Sequence, residues 1–277
     1  MDYKTILVHV DASEAAPFRI RCAARLARSV DAHLIGAAPT GISRFVPPEI
    51  LAAGRDPLAA HCRTLRQEAR ESLDLFTYLA QQEGVLSHEA RLIDDDADGA
   101  MPMAARYCDL VVVGRPDPTV VDPLMPTDMP QQLALSGGHP ALVVPYTGVL
   151  PDLSGTALVA WDGSAAATRA VAGALPLLRR ARRVEVMALG DTLPPTCTLQ
   201  DPCTALASWL GSHGIEAHTC RKMQPSIGQA LLSEAVDIDA TLLVMGAYGH
   251  SRLHESLTEG VTATVLRWTR IPLLIAH

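Results

Sequence analysis

Aromatic side chains make up only 4% of this 277-residue chain. Ala and Leu must therefore carry the core, and the helices are expected to pack closely through small faces. No apolar run approaches the roughly 18 residues that a helical membrane span needs, so such a span is excluded. Positive charge is not in surplus either. A formal net charge of -7 leaves no basic footprint for nucleic acid, and the local cluster Arg179, Arg180, Arg182 and Arg183 reads as a solvated helix end. The six cysteines (Cys22, Cys62, Cys108, Cys197, Cys203 and Cys220) form no Cys-x-x-Cys. They read as small buried apolar residues rather than as a disulfide framework. A Gly-x-Ser-x-Gly elbow and a P-loop lysine are both missing, which removes the common signatures of a serine hydrolase and a P-loop nucleotidase. The opening Met-Asp-Tyr-Lys runs at once into a strand-like segment and does not read as a signal peptide, so a cytoplasmic protein is expected.

The chain does contain an internal repeat. Thr5–Val10 followed by Asp11-Ala12-Ser13 resembles Thr156–Trp161 followed by Asp162-Gly163-Ser164, at an offset of 151 residues. Asp109–Gly114 parallels Thr241–Gly246, and His139–Val144 parallels Ile271–Ala276, both at an offset of 132 residues. Self-similarity at shared offsets indicates a duplication. Strand-like and helical runs alternate within each half, as in a parallel α/β sheet. The strands expected are Thr5–Val10, Ala32–Ala37, Ser87–Leu92, Leu110–Val113 and Ala141–Val144, then Thr156–Trp161, Val184–Leu189, Ile215–Arg221, Thr241–Met245 and Leu273–Ala276. A helix is expected over Leu58–Gln82. The fold predicted is α/β: two tandem doubly wound, Rossmann-like open sheets of five mainly parallel strands each, spanning residues 1–146 and 155–277, with a short turn-rich linker between them.

The densest constellation lies in the last part of the second half. Thr241–Met245 is a short apolar run ending at Gly246, and Gly249 closes a turn where backbone could approach a ligand. Gly260 then opens a segment with Val261, Val265 and Trp268 at helical spacing. The free N–H groups and dipole of that helix start suit an anion. In a doubly wound sheet the ligand crevice lies at the carboxyl ends of the strands, so Asp162 and Ser164, ending the first strand of this half, converge on the same place. Helix capping is the competing role for both residues.

At these residues the chain resembles the universal stress protein family. That family carries Gly-x-x-Gly, about nine residues, and then Gly-Ser/Thr before a helix, the whole embracing the phosphates of ATP. The match falls on Gly246, Gly249, Val261 and Thr262. It departs at Glu259, where the pattern has glycine, and at Gly260, where it has a small hydroxyl residue. The resemblance implies that Asp162 contacts the nucleoside and that Gly246, Gly249, Val261 and Thr262 hold the phosphates. Met245, Ser164 and Gly260 are expected at the same site, and His250 and Arg252 supply donors and positive charge in its loop. It implies ATP as ligand, with magnesium as a companion ion, and an intrachain pseudo-dimer that pairs through the last strands. The partners expected are an adenine nucleotide and, beyond it, a second copy of the chain or an unidentified protein.

The function implied is that of a nucleotide-binding module in stress responses, with at most weak ATP hydrolysis. The alternatives are a nucleotide-free pseudo-dimeric scaffold and, third, a slow hydrolase acting at the α-phosphate. Glu259 argues for the scaffold, since a carboxylate beside a polyphosphate costs on the order of 1 kcal/mol even when screened. Trp161 either stacks on a base or fills the pocket with its own ring.

In the first half the corresponding loop, Arg115–Pro130, holds five prolines and three aspartates. Proline removes amide donors and aspartate repels phosphate, so that half is expected to have the fold without the phosphate cradle. His250 and His254 have metal-ligand spacing but no third partner, and read as polar loop residues. Asp94, Asp95, Asp96 and Asp98 lack the spacing of a calcium loop and read as a solvated turn.

Overall fold

The computed structural model describes residues 2–47, 49, 57–116, 123–145, 149–189, 202–222, 226–247 and 260–277. The chain forms two compact units, Tyr3–His139 and Pro140–His277, the latter joined by Asp2.

In the first unit, β1 (Thr5–His9), β2 (His33–Pro39), β3 (His88–Ile93) and β4 (Leu110–Gly114) form a parallel sheet in the order β3-β2-β1-β4. β1 and β4 pair at Ile6↔Leu110 and Val8↔Val112. β4 is buried along its whole length, as its unbroken apolar run demands of a strand covered on both faces. The helices are α1 (Ala16–Val30), α2 (Pro57–Gln82), α3 (Ala97–Ala105) and α4 (Met129–Ser136). Pro17 stands in the first turn of α1, where a missing N–H is harmless. Phe18, Cys22 and Leu26 bury its apolar stripe.

Gly36 in β2 has a plain packing reason. A Cβ there would lie 2.6 Å from the ring of Phe76, a fully buried residue of α2. Gly36→Val is therefore expected to push α2 off the sheet and lower stability by about 1–3 kcal/mol, read from urea unfolding.

The second unit contains β5 (Ala141–Val144), β6 (Thr156–Trp161), β7 (Arg183–Leu189), β8 (Ala217–Lys222), β9 (Ala240–Gly246) and β10 (Leu273–Ala276), in the order β5-β10-β9-β6-β7-β8. All pairs are parallel except β10 with β5, which is antiparallel at Leu273↔Val143 and Ile275↔Ala141. The last strands of the two repeats are thus paired, as the resemblance implies. Its helices are α5 (Ala165–Leu178), α6 (Pro202–Ser212), α7 (Ile227–Asp237) and α8 (Val261–Trp268). Pro176 lies inside α5 near its end without stopping it. The strands follow the expected alternation and lie within two residues of the expected bounds. Ile215 is the instructive exception: it is a buried core residue ahead of β8 rather than part of it.

The acidic run is the expected solvated turn at Asp94, Asp96 and Asp98, which are exposed, but not at Asp95. Asp94 accepts a bidentate bond from Arg66. Asp95 is buried and paired with Arg44, and Asp96 caps α3 by accepting from the Gly99 amide at 2.8 Å. The expected role of small apolar cysteines holds for Cys22, Cys62, Cys108 and Cys203, which are buried free thiols, while Cys220 is half-buried. Burial pushes the Cys22 and Cys108 thiols up to about 12, so neither is a nucleophile at neutral pH. Cys197 lies outside the described residues. Among the described residues no helix is long and apolar enough to cross a membrane.

Candidate functional site

The second unit has its topological switch point between β6 and β9. β6 leads through α5 to β7 on one side, and β9 leads through α8 to β10 on the other. Ala160 and Met245 are register partners at the carboxyl edge, so Asp162 and Gly246 end neighbouring strands. In such sheets this edge is where ligands sit.

The turn after β6 is built by Asp162-Gly163-Ser164. Gly163 takes φ of 74°, a left-handed conformation natural to glycine. That turn lets the Asp162 Oδ1 accept from the Ser164 amide at 2.9 Å, and it sets Ser164 as N-cap of α5, its Oγ accepting from the Ala167 amide at 3.1 Å. The capping role weighed for Ser164 is therefore the one it performs. Gly246 is also spoken for: a Cβ would lie 2.4 Å from the Ala167 backbone nitrogen. The glycine lets the first turn of α5 rest directly on the end of β9. Met245 is buried in the sheet, 4% exposed.

Gly260 is the N-cap of α8, with φ -59° and ψ 151°, and has no side chain with which to cap it. The Thr264 amide donates to the Gly260 carbonyl at 3.0 Å, so the Val261, Thr262 and Ala263 amides precede the helix ladder. They form the positive end of the α8 dipole. Thr262 is buried and Val261 half-buried. α8 is held against α7 by a close approach in which Thr264 occupies the space over Gly228, 3.0 Å from where a Cβ would be. The structure thus brings Asp162, Ser164, Gly246, Gly260, Val261 and Thr262 to one edge of one sheet. Gly249, His250 and Arg252 lie outside the described residues, as do His254 and Glu259. Among the described residues, no group of three or more His, Cys, Asp or Glu side chains could hold a metal ion.

The equivalent edge of the first unit is filled from within. Arg19, on α1, is 2% exposed. Its Nε donates to the His9 carbonyl at 2.8 Å, and its Nη2 lies 3.0 Å from Asp11 Oδ1. A Cβ on Gly114, at the end of β4, would lie 2.7 Å from Nη1 of the same guanidinium. The arginine therefore occupies the space between the ends of β1 and β4. Burial pushes the Asp11 carboxyl up, but Arg19 and two bonds from Ser13 outweigh it and hold it at about 2. His9, fully buried, is pushed down to about 4 by desolvation first and the guanidinium second. Its Nδ1 is 3.5 Å from Asp11 Oδ2, and neither ring nitrogen has a hydrogen-bond partner.

Sequence reasoning missed this plug. The signal was present, because the 151-residue offset places Ala170 of α5 opposite Arg19. The Arg19, Ala23, Ala27, Val30 row of α1 is apolar except at its first position. The turn differs between the repeats for a related reason. Ala12 stands where the second repeat has Gly163, Ser13 bonds back to Asp11, and α1 has no side-chain cap.

No protein-family model matches the chain, and the curated proteins contain no sequence match. Solved structures do resemble it over nearly its full length. A universal stress protein from Archaeoglobus fulgidus DSM 4304 aligns with a TM-score of 0.72 at 17% identity, covering 98% of this chain and 95% of that one. A functionally unknown protein from Pseudomonas aeruginosa PAO1 aligns at 0.59 and 18% identity, covering 99% and 92%. A putative universal stress protein from Pseudomonas aeruginosa UCBPP-PA14 aligns at 0.58 and 17% identity, covering 99% and 93%. The fold is thus that of the tandem universal stress proteins.

Proposed function

We propose that the chain is a nucleotide-binding protein of the universal stress protein type. It holds one adenine nucleotide, ATP with magnesium, in the crevice of the second unit and acts in stress responses in the cytoplasm without strong catalysis. The observation that carries this reading is the α8 N-terminus. Three amides ahead of the helix ladder, behind a glycine N-cap, stand at the same sheet edge as the Asp162 turn. The resemblance supplies adenine as the base. The first unit offers no equivalent place, because Arg19 fills it.

Calorimetric titration of ATP and magnesium into the purified protein is expected to give one site per chain. Gly260→Asp is the discriminating variant. Its φ and ψ suit any residue, and an aspartate there caps α8, so stability should hold or rise. The same carboxylate repels phosphate, so affinity should fall at least tenfold. Absence of heat and of a thermal shift at millimolar ATP would sink the nucleotide reading and leave a scaffold.

A further inference from the structure

Trp161 is the last residue of β6, just before Asp162. Its indole Nε1 is buried and has no hydrogen-bond partner, although the residue as a whole is partly exposed. An indole N–H only donates, and leaving it buried without an acceptor is destabilising. The other two tryptophans, Trp209 and Trp268, lie exposed on helix surfaces and show no such orphaned nitrogen.

The topology says what comes near that N–H. α8 joins β9 to β10, and Trp161 ends β6, which pairs with β9 on one side and with β7 on the other. Strands lie about 4.8 Å apart, so the two features are separated by roughly 5–10 Å across the sheet edge. Asp162 directly follows Trp161 at the same edge. A nucleotide whose phosphates take the α8 amides must therefore lay its sugar past Asp162 and its base towards Trp161. The repeat supports the assignment from inside the chain. At the 151-residue offset the first unit has Val10 in place of Trp161, and that is the unit whose crevice is filled. The donor is present only where the crevice lacks the arginine.

Building on the function proposed above, we infer that the Trp161 indole N–H is a specificity determinant that donates to a ring nitrogen of the bound purine. Purines present such acceptors around their edge, and the buried donor gains the partner it lacks in the free protein.

The test is a cycle between Trp161→Phe and base-modified ATP. In the free protein, Trp161→Phe should melt at the same temperature or higher, because an unsatisfied donor is removed. Its affinity for ATP should nevertheless fall about five- to tenfold. Among 1-deaza-, 3-deaza- and 7-deaza-ATP, one analogue should bind the native protein as weakly as ATP binds the variant, and the variant should not distinguish that analogue from ATP. If ATP binds both proteins equally, or the analogue losses persist in the variant, the donor role is overturned while the nucleotide reading stands. If ATP does not bind the native protein at all, both fall.

Discussion

Arg19→Ala should lower the unfolding free energy by about 3–5 kcal/mol, because it strands a buried carboxylate. Asp11 is 4% exposed and takes the guanidinium at 3.0 Å. Without the arginine, burial acts on that carboxyl with only His9 and the Ser13 bonds opposing it. The loss is a penalty of breaking the pair, not a measure of what the pair contributes. A buried ion pair replaced whole by uncharged groups of similar volume is often neutral. The double variant Arg19→Met, Asp11→Asn should accordingly recover most of the loss. Urea unfolding at neutral pH compares the three proteins. A single-variant loss below about 1 kcal/mol would mean that Arg19 does not hold the crevice shut.

The second large effect is a dependence on acid. His9 is buried and neutral, with its protonation moved from 6.5 to about 4. A lowered value means that the unfolded chain binds the proton first, so stability is full above about pH 6.5 and is lost as the pH falls towards 4. The gap corresponds to about 3 kcal/mol. Asp11 adds a second, more acidic window: its carboxyl, held at about 2 against 3.8, withdraws its contribution as the pH falls below 4. Melting temperatures followed from pH 7 to 4 should therefore decline in the native protein. His9→Leu should remove about one proton's worth of that slope between pH 6.5 and 4. An unchanged slope would place the acid sensitivity elsewhere.

The duplication and the parallel sheets were legible because they depend on period and offset, which side-chain detail does not blur. Four apolar residues followed by glycine at 110–114 and again at 242–246 leave few alternatives to a buried strand. The two Asp-x-Ser turns were not distinguishable in the same way. Both end a strand and lead into a helix, yet only Ser164 caps its helix, since Gly163 takes the left-handed turn and Ala12 stands in its place in the first repeat. Gly246 was read as room for a phosphate, whereas its bare Cα is already needed by the Ala167 backbone. Arg19 was hidden by a different cause. Arg19 is one of four arginines on an Ala-rich helix and has the signature of a solvated residue; its place on the apolar row hinted otherwise, and the placement of Asp11 and Gly114 around it reveals the buried ion pair.

The antiparallel seam between β5 and β10 has a consequence for how such a chain arises. A fragment starting at Thr156 would end on a bare β10, whose Leu273, Leu274 and Ile275 are fully covered in the intact protein. An uncovered edge of that kind seeks another strand, and the nearest equivalent would be the same strand of a sister molecule, bound only as tightly as its concentration allowed. Joining two copies end to end replaces that mass-action equilibrium with a tethered partner at fixed effective concentration. Once the seam no longer depends on both halves being identical, each is free to drift, and the first has filled its sheet edge with an arginine where the second carries Ala170.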